Sequence, residues 1–153
     1  MRQLRNIYIF ILTGLALSSC KEDAPVVNDP ISHIPSIEVR SISPQVVTAF
    51  EDSIVLELFY QDGNGDLGFS NPDSNSLFVV DTRIFTVEDF FVPMLAPEGS
   101  SVAIQGVLRV VLDRTILVDP DASEEQVQFQ VFIRDRAGQY SDIVVTPFIT
   151  VVP

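Results

Sequence analysis

The sequence predicts an all-β fold, an antiparallel sandwich of about seven strands occupying residues 36–153. Three observations predict it. From residue 36 onward apolar residues recur at every second position, the period of a strand with one buried face. The hydrophobic content, 46%, leans on valine, isoleucine and phenylalanine, whose branched or flat side chains suit a pleated surface. The alternating runs are short and are separated by clusters of Gly, Pro, Asn, Asp and Ser, the residues that close tight turns.

Residues 36–42 (SIEVRSI) are the first expected strand, with Ile37, Val39 and Ser41 on one face. Pro44 ends it, and residues 46–50 continue along an edge, where a missing ladder donor is tolerated. Residues 54–61 (IVLELFYQ) alternate most cleanly: Ile54, Leu56, Leu58 and Tyr60 face one way, Val55, Glu57, Phe59 and Gln61 the other. Residues 77–81 and 83–87 are shorter candidates, and residues 87–91 (VEDFF) have room for one helical turn. Within residues 101–113, Leu108, Val110 and Leu112 alternate with Arg109, Val111 and Asp113. Within residues 126–135, Phe129, Val131 and Ile133 oppose Gln128, Gln130 and Phe132, and residues 143–152 close the chain. About 115 residues suffice for one domain with one core.

The N-terminus follows a different logic. Met1-Arg2-Gln3-Leu4-Arg5 carries two cations and no acid, and residues 7–17 (IYIFILTGLAL) are apolar. That run suits the core of an export signal and falls short of the roughly 20 residues a membrane-spanning helix needs. It ends in Leu17-Ser18-Ser19-Cys20, an aliphatic residue and two small ones before a cysteine. This resembles the lipobox of bacterial lipoproteins. The resemblance implies that residues 1–19 are a signal peptide and that Cys20 carries a covalent lipid holding the chain in a membrane. Each buried acyl methylene adds about 0.8 kcal/mol to such an anchor. Cys20 is the only cysteine, so its lipidation leaves no thiol for a disulfide, a metal site or a nucleophile.

Lys21-Glu22-Asp23 resembles the short acidic signal behind the lipidated cysteine of surface-exposed lipoproteins of the Bacteroidetes. That implies an outer-membrane lipoprotein displayed at the cell surface, with the periplasmic leaflet as the alternative. Residues 24–35 (APVVNDPISHIP) contain Pro25, Pro30 and Pro35, so residues 20–35 read as a lipidated cysteine and flexible linker. Extended at about 3.3 Å per residue, the spacer reaches roughly 40 Å. His33, the only histidine, lies there without neighbouring ligands and reads as a linker residue.

The formal charge is −12, and removing residues 1–19 takes away two arginines and no acid, leaving about −14. So acidic a chain argues against nucleic acid as a partner, which clustered Lys and Arg would recognise, and suits divalent cations. One loop concentrates that chemistry. Asp62-Gly63-Asn64-Gly65-Asp66-Leu67-Gly68-Phe69-Ser70-Asn71-Pro72-Asp73 places oxygen ligands at positions 1, 3, 5 and 12 of a twelve-residue stretch. The spacing is that of EF-hand and dockerin calcium loops, and it predicts a structural calcium held by Asp62, Asn64, Asp66, the Gly68 carbonyl and Asp73. Leu67 stands where an EF-hand has glycine, Asp73 replaces the usual glutamate, and the loop follows a strand rather than a helix. It therefore is more similar to the D-G-D-G-D-L-G loops of Bacteroidetes surface proteins. The same residues also make an ordinary metal-free turn. A second acidic run, residues 119–125 (DPDASEE), reads as a solvated turn or as the source of one more ligand.

Asp135-Arg136-Ala137-Gly138-Gln139-Tyr140-Ser141 resembles the D-x-A-G-N-x-S hairpin joining the last two strands of bacterial immunoglobulin-like and fibronectin-III-like domains, with Gln139 in place of Asn. The resemblance implies an immunoglobulin-like sandwich, a left-handed Gly138 and an Asp135 that accepts backbone N–H bonds. No G-x-S-x-G elbow, Walker loop or histidine cluster is present, which argues against an enzyme. The absence of Trp lowers a carbohydrate-stacking role, for which Tyr60 and Tyr140 remain. The Phe90-Phe91-Val92 stretch with Met94 reads as the cover of an open sandwich end, the alternative being an exposed apolar loop for a partner. Together these readings predict a non-enzymatic, lipid-anchored envelope module that binds an envelope protein or extracellular ligand. The alternatives are a structural subunit of an outer-membrane uptake or secretion complex and a degenerate glycan-binding module.

Overall fold

A computed structural model describes residues 30–153 of the chain. The expected signal peptide, Cys20 and the Lys21-Glu22-Asp23 signal lie outside the described residues. The described chain is an all-β sandwich of ten strands: β1 (Ser36–Ser43), β2 (Val46–Thr48), β3 (Ile54–Asp62), β4 (Leu77–Asp81), β5 (Val87–Phe90), β6 (Ile104–Leu112), β7 (Glu125–Val127), β8 (Phe129–Ile133), β9 (Val144–Val145) and β10 (Ile149–Val152). They form three sheets, ordered β1-β3-β6, β5-β4-β8-β9 and β2-β10-β7. All pairings are antiparallel except β2 with β10.

The strand count exceeds the expected seven because two long runs are broken. Gln128 alone separates β7 from β8, and residues 146–148 separate β9 from β10, so both runs pass from one small sheet into the next. The second break is built from Thr146, whose hydroxyl accepts the Phe129 amide at 3.0 Å, followed by Pro147, which has no amide to donate. The expected strand over residues 83–87 forms instead as β5, and residues 87–91 take no helical turn. The cause is local. The Asp81 carboxylate accepts the Arg83 amide at 2.9 Å and the Asp81 carbonyl accepts the Phe85 amide at 2.7 Å, so residues 81–86 close a tight turn that delays the strand.

One core lies between the sheets. The inner face of β3, Ile54, Leu56, Leu58 and Tyr60, meets Leu77 and Val79 of β4, Phe129, Val131 and Ile133 of β8, and Ile149 and Val151 of β10. The outer face of β3 is half-buried: the Arg40 guanidinium lies 4.4 Å from the Phe59 ring centre, and the Ser41 hydroxyl donates to Glu57 at 3.1 Å.

The registers sort the connections into two poles. Ser36 pairs with Gln61 and Asp62 with Ile104, while Ser43 pairs with Val55 and Ile54 with Leu112. The loop after Asp62, the stretch 91–95 and the hairpin after β8 thus share one pole. Residues 49–53, 82–86 and 113–124 share the other. The chain enters at the first: the Ser32 carbonyl accepts the Gly63 amide at 2.7 Å, and a Cβ on Gly63 would run into the Ile31 and Ser32 backbone. The last linker residues are therefore docked beside the acidic loop. His33 is exposed there.

The far pole is stapled by Arg83. Its guanidinium donates to Asp81 at 2.7 and 3.1 Å, to Glu125 at 2.6 Å and to the Ile116 carbonyl at 3.0 Å. Burial works to lower the Arg83 pKa, and the Asp81 and Glu125 carboxylates outweigh it, holding the group firmly charged. Removing one member of a largely buried ion network strands the others. Arg83→Ala is expected to lower unfolding free energy by roughly 2–3 kcal/mol, read from urea denaturation, the partial solvent access keeping the loss below that of a fully buried pair. Glu125 also accepts the amides of Asp119 and Val118, and these, before Arg83, hold its pKa below the ordinary 4.5. Its contribution is thus complete above that value and disappears as pH falls through the depressed one. The urea midpoints of the unaltered chain and Glu125→Gln should differ at neutral pH and converge in acid.

Candidate functional site

Two carboxylates extend the apolar alternation of facing strands by one step. Along β3 the core-facing series Ile54, Leu56, Leu58, Tyr60 continues to Asp62, which is fully buried. Along β8 the series Phe129, Val131, Ile133 continues to Asp135, only 1% exposed. Because both positions face inward, the two acids come together between the layers at the pole where the chain enters. Leu67 forms an antiparallel bridge with Asp135, and the Arg136 amide donates to the Asp66 carbonyl at 3.1 Å, which draws the loop and hairpin into one unit.

The Asp62 carboxylate organises the loop. It accepts the amides of Asp66 at 2.8 Å, Leu67 at 3.2 Å and Asn64 at 3.4 Å. Burial pushes its pKa up, and the neighbouring Asp66 charge pushes it further against those hydrogen bonds. Asp135 organises the hairpin as the motif implied. Its carboxylate accepts the Gln139 amide at 2.7 Å, its carbonyl accepts the Gly138 amide at 3.2 Å, and Gly138 is left-handed at φ 85°. Burial raises the Asp135 pKa first, and the Asp66 and Asp62 charges raise it again. Asp62 and Asp135 therefore both feel the Asp66 charge at an otherwise mostly apolar end of the sandwich.

The Arg136 guanidinium donates to the carbonyls of Gly68 at 2.8 Å and of Leu67 and Gly65 at 3.2 Å. The Gly68 carbonyl, read as a ligand from its position in the loop, is engaged by a cation of the protein's own. Asp73 is exposed in a turn where its amide donates to the Asn71 side chain at 3.0 Å, apart from the buried acids. Asp62, Asn64 and Asp66 are brought together as expected, and Asp135 joins them. Residues 119–125 lie at the opposite pole and add nothing to the loop. Among the described residues, no group of three or more His, Cys, Asp or Glu side chains is gathered closely enough to hold a metal ion as the side chains stand.

Five buried side-chain polar atoms lack a partner among the described residues, and three are oxygens of this cluster: Asn64 Oδ1, Asp66 Oδ1 and Asp135 Oδ2. Buried acceptors without donors are rare enough in folded proteins that three together call for a cause. An all-oxygen set of this kind fits a hard divalent cation and not a soft one. No known protein family, curated protein or solved structure matches this chain.

Aromatic residues form two further features. On the outer face of β4 and β8, Phe78 and Phe132 stack at 5.0 Å, with Tyr140 at 6.5 and 6.0 Å from them, whereas Tyr60 is buried in the core. At the far pole Phe50 and Phe85 are 65% and 72% exposed, and both hold positive φ, 65° and 55°. The Phe50 amide donates to the Thr115 carbonyl, and a groove lined by Ile84, Thr86, Thr115 and Ile116 runs between the turn that carries Phe85 and the stretch after β6. Val92 is buried and Phe90 packs on the core, so these two cover an end of the sandwich, while Phe91 between them is 38% exposed.

Proposed function

We propose that this chain is a non-enzymatic, lipid-anchored module of the outer membrane, displayed at the cell surface, that binds an envelope or extracellular partner through the pole remote from its anchor. One observation carries the reading. The linker docks at Gly63, on the pole of the acidic loop, while the exposed Phe50 and Phe85 stand at the other end. A bulky residue at positive φ costs on the order of 1–3 kcal/mol, and such strain concentrates where a surface has work to do. In this reading the acidic loop is structural and steadies the end from which the chain hangs.

The test uses intact cells. A photo-crosslinking residue at Phe85 is expected to capture a discrete partner, and one at Asp73 is not. Cys20→Ser should release the chain from the membrane fraction, and protease added outside should cleave the domain. A protected domain would sink surface display; crosslinks from the Asp73 position alone would sink the far-pole assignment. The Phe78, Phe132 and Tyr140 cluster favours a second reading, a glycan-binding module. A glycan array that shows binding abolished by Tyr140→Ala would put it ahead. A stoichiometric complex isolated from detergent-solubilised membranes would instead mark the chain as a subunit of a larger assembly.

A further inference from the structure

We propose that Asp62, Asn64, Asp66 and Asp135 hold one calcium ion between the two layers, and that the last hairpin, through Asp135, completes a site the loop cannot complete alone. The acidic loop by itself is also what a metal-free turn looks like. Asp135 separates the two cases. It comes from the facing sheet, it is 1% exposed, and one of its carboxylate oxygens has no donor while the other serves the Gln139 amide. Asn64 and Asp66 each bury an unpartnered oxygen in the same cluster.

Charge argues the same way. Asp62 and Asp135 are buried and Asp66 is half-buried beside them, and a carboxylate charge buried without a partner is strongly unfavourable. Arg136 does not neutralise them, because its hydrogen bonds go to the carbonyls of Gly65, Leu67 and Gly68. A divalent cation would. Every available donor is oxygen, three from carboxylates and one from an amide, and they arrive from two separate elements. Calcium accepts six to eight oxygens at about 2.3–2.6 Å in irregular arrangements and fills the remainder with water, whereas magnesium demands a near-regular octahedron. Binding asks the carboxylates to draw inward. The loop is well placed to comply, with Gly65 left-handed at φ 73° beside the ligands.

The experiment uses the full chain purified in detergent and stripped of metal. Calcium added to it is expected to bind at one ion per chain and to raise the thermal midpoint. Asp135→Asn keeps an oxygen for the Gln139 amide but removes the charge, and it should weaken calcium binding at least about tenfold, since even groups that only support a ligand are worth 10–100-fold in affinity. Asp73→Asn should bind as the unaltered chain does. Absence of calcium binding overturns the proposal. So does an Asp135→Asn chain that binds normally, or an Asp73→Asn chain that loses as much. If Asp135→Asn does not fold, hydrogen exchange on the unaltered chain decides: calcium should slow exchange at Gly138 and Gln139 as well as at Asp66 and Leu67. Protection confined to the loop would rule out the hairpin's part.

Discussion

Gly68→Ala is expected to lower the unfolding free energy by roughly 3–5 kcal/mol, close to half of what a domain of this size commonly has. Two penalties combine. Gly68 sits at φ 80°, where a Cβ costs roughly 1–2 kcal/mol. That Cβ would also strike the Pro93 carbonyl, with the Val92 oxygen at 2.9 Å. The opposing backbone cannot swing away, because the Val92 carbonyl accepts the Phe69 amide at 2.9 Å and the Leu95 amide donates to the Leu67 carbonyl at 3.2 Å, one bond on each side of the glycine. Gly99 supplies the control: its φ is 76°, but a Cβ there meets nothing within 4 Å. Gly99→Ala should lose only the conformational part, about 1 kcal/mol. Equal losses in the two variants, measured by chemical denaturation, would refute the close approach at Gly68.

Leu58→Ala should cost about 3–4 kcal/mol, within the range measured for leucine truncation in closed cores. Leu58 is fully buried at the middle of β3, between Val39 of β1 and Leu108 of β6 in register. A central strand held on both sides has little freedom to collapse into the space left behind. Its neighbour Phe59 points outward and carries Arg40 across its ring. Phe59→Ala should lose only about 1 kcal/mol beyond its modest burial, the value of an exposed cation–π contact. A ratio near one between these adjacent positions, in urea midpoint shifts, would contradict the inward and outward assignment.

Where the sequence alternates strictly, the fold was legible. The buried faces of β3 and β8 follow from Ile54, Leu56, Leu58 and Tyr60 and from Phe129, Val131 and Ile133. What escaped was decided by single groups in space. Thr146 takes a hydrogen bond that splits a strand, and Asp81 gathers two amides that shift β5 along the chain. The site was half legible for a related reason. Spacing within one loop singles out Asp62, Asn64 and Asp66, which the fold gathers, along with Gly68, whose carbonyl Arg136 engages, and Asp73, which lies exposed in a turn. Asp135 lies on another sheet, so no local spacing could reach it. The signal that would have found it is the strand period itself: carried one step past Ile133, it sets an acid on the buried face, as it does one step past Tyr60.

The docking of Ser32 on Gly63 has a mechanical side. If Cys20 anchors the chain and a partner binds at Phe50 and Phe85, as proposed above, tension enters at the pole of the acidic loop and leaves at the opposite one. It therefore runs along β1 and β3, whose antiparallel hydrogen bonds lie across that line. Load taken up at Phe85, which the backbone joins to β1 only through β3 and β4, shears the ladder from Ser36 to Ser43 across its bonds, whereas load at Phe50 passes straight along the β1 backbone. The linker clamp places the first point of yield at the Ser32–Gly63 contact, so the domain would lengthen its tether by a few residues before any strand gives way.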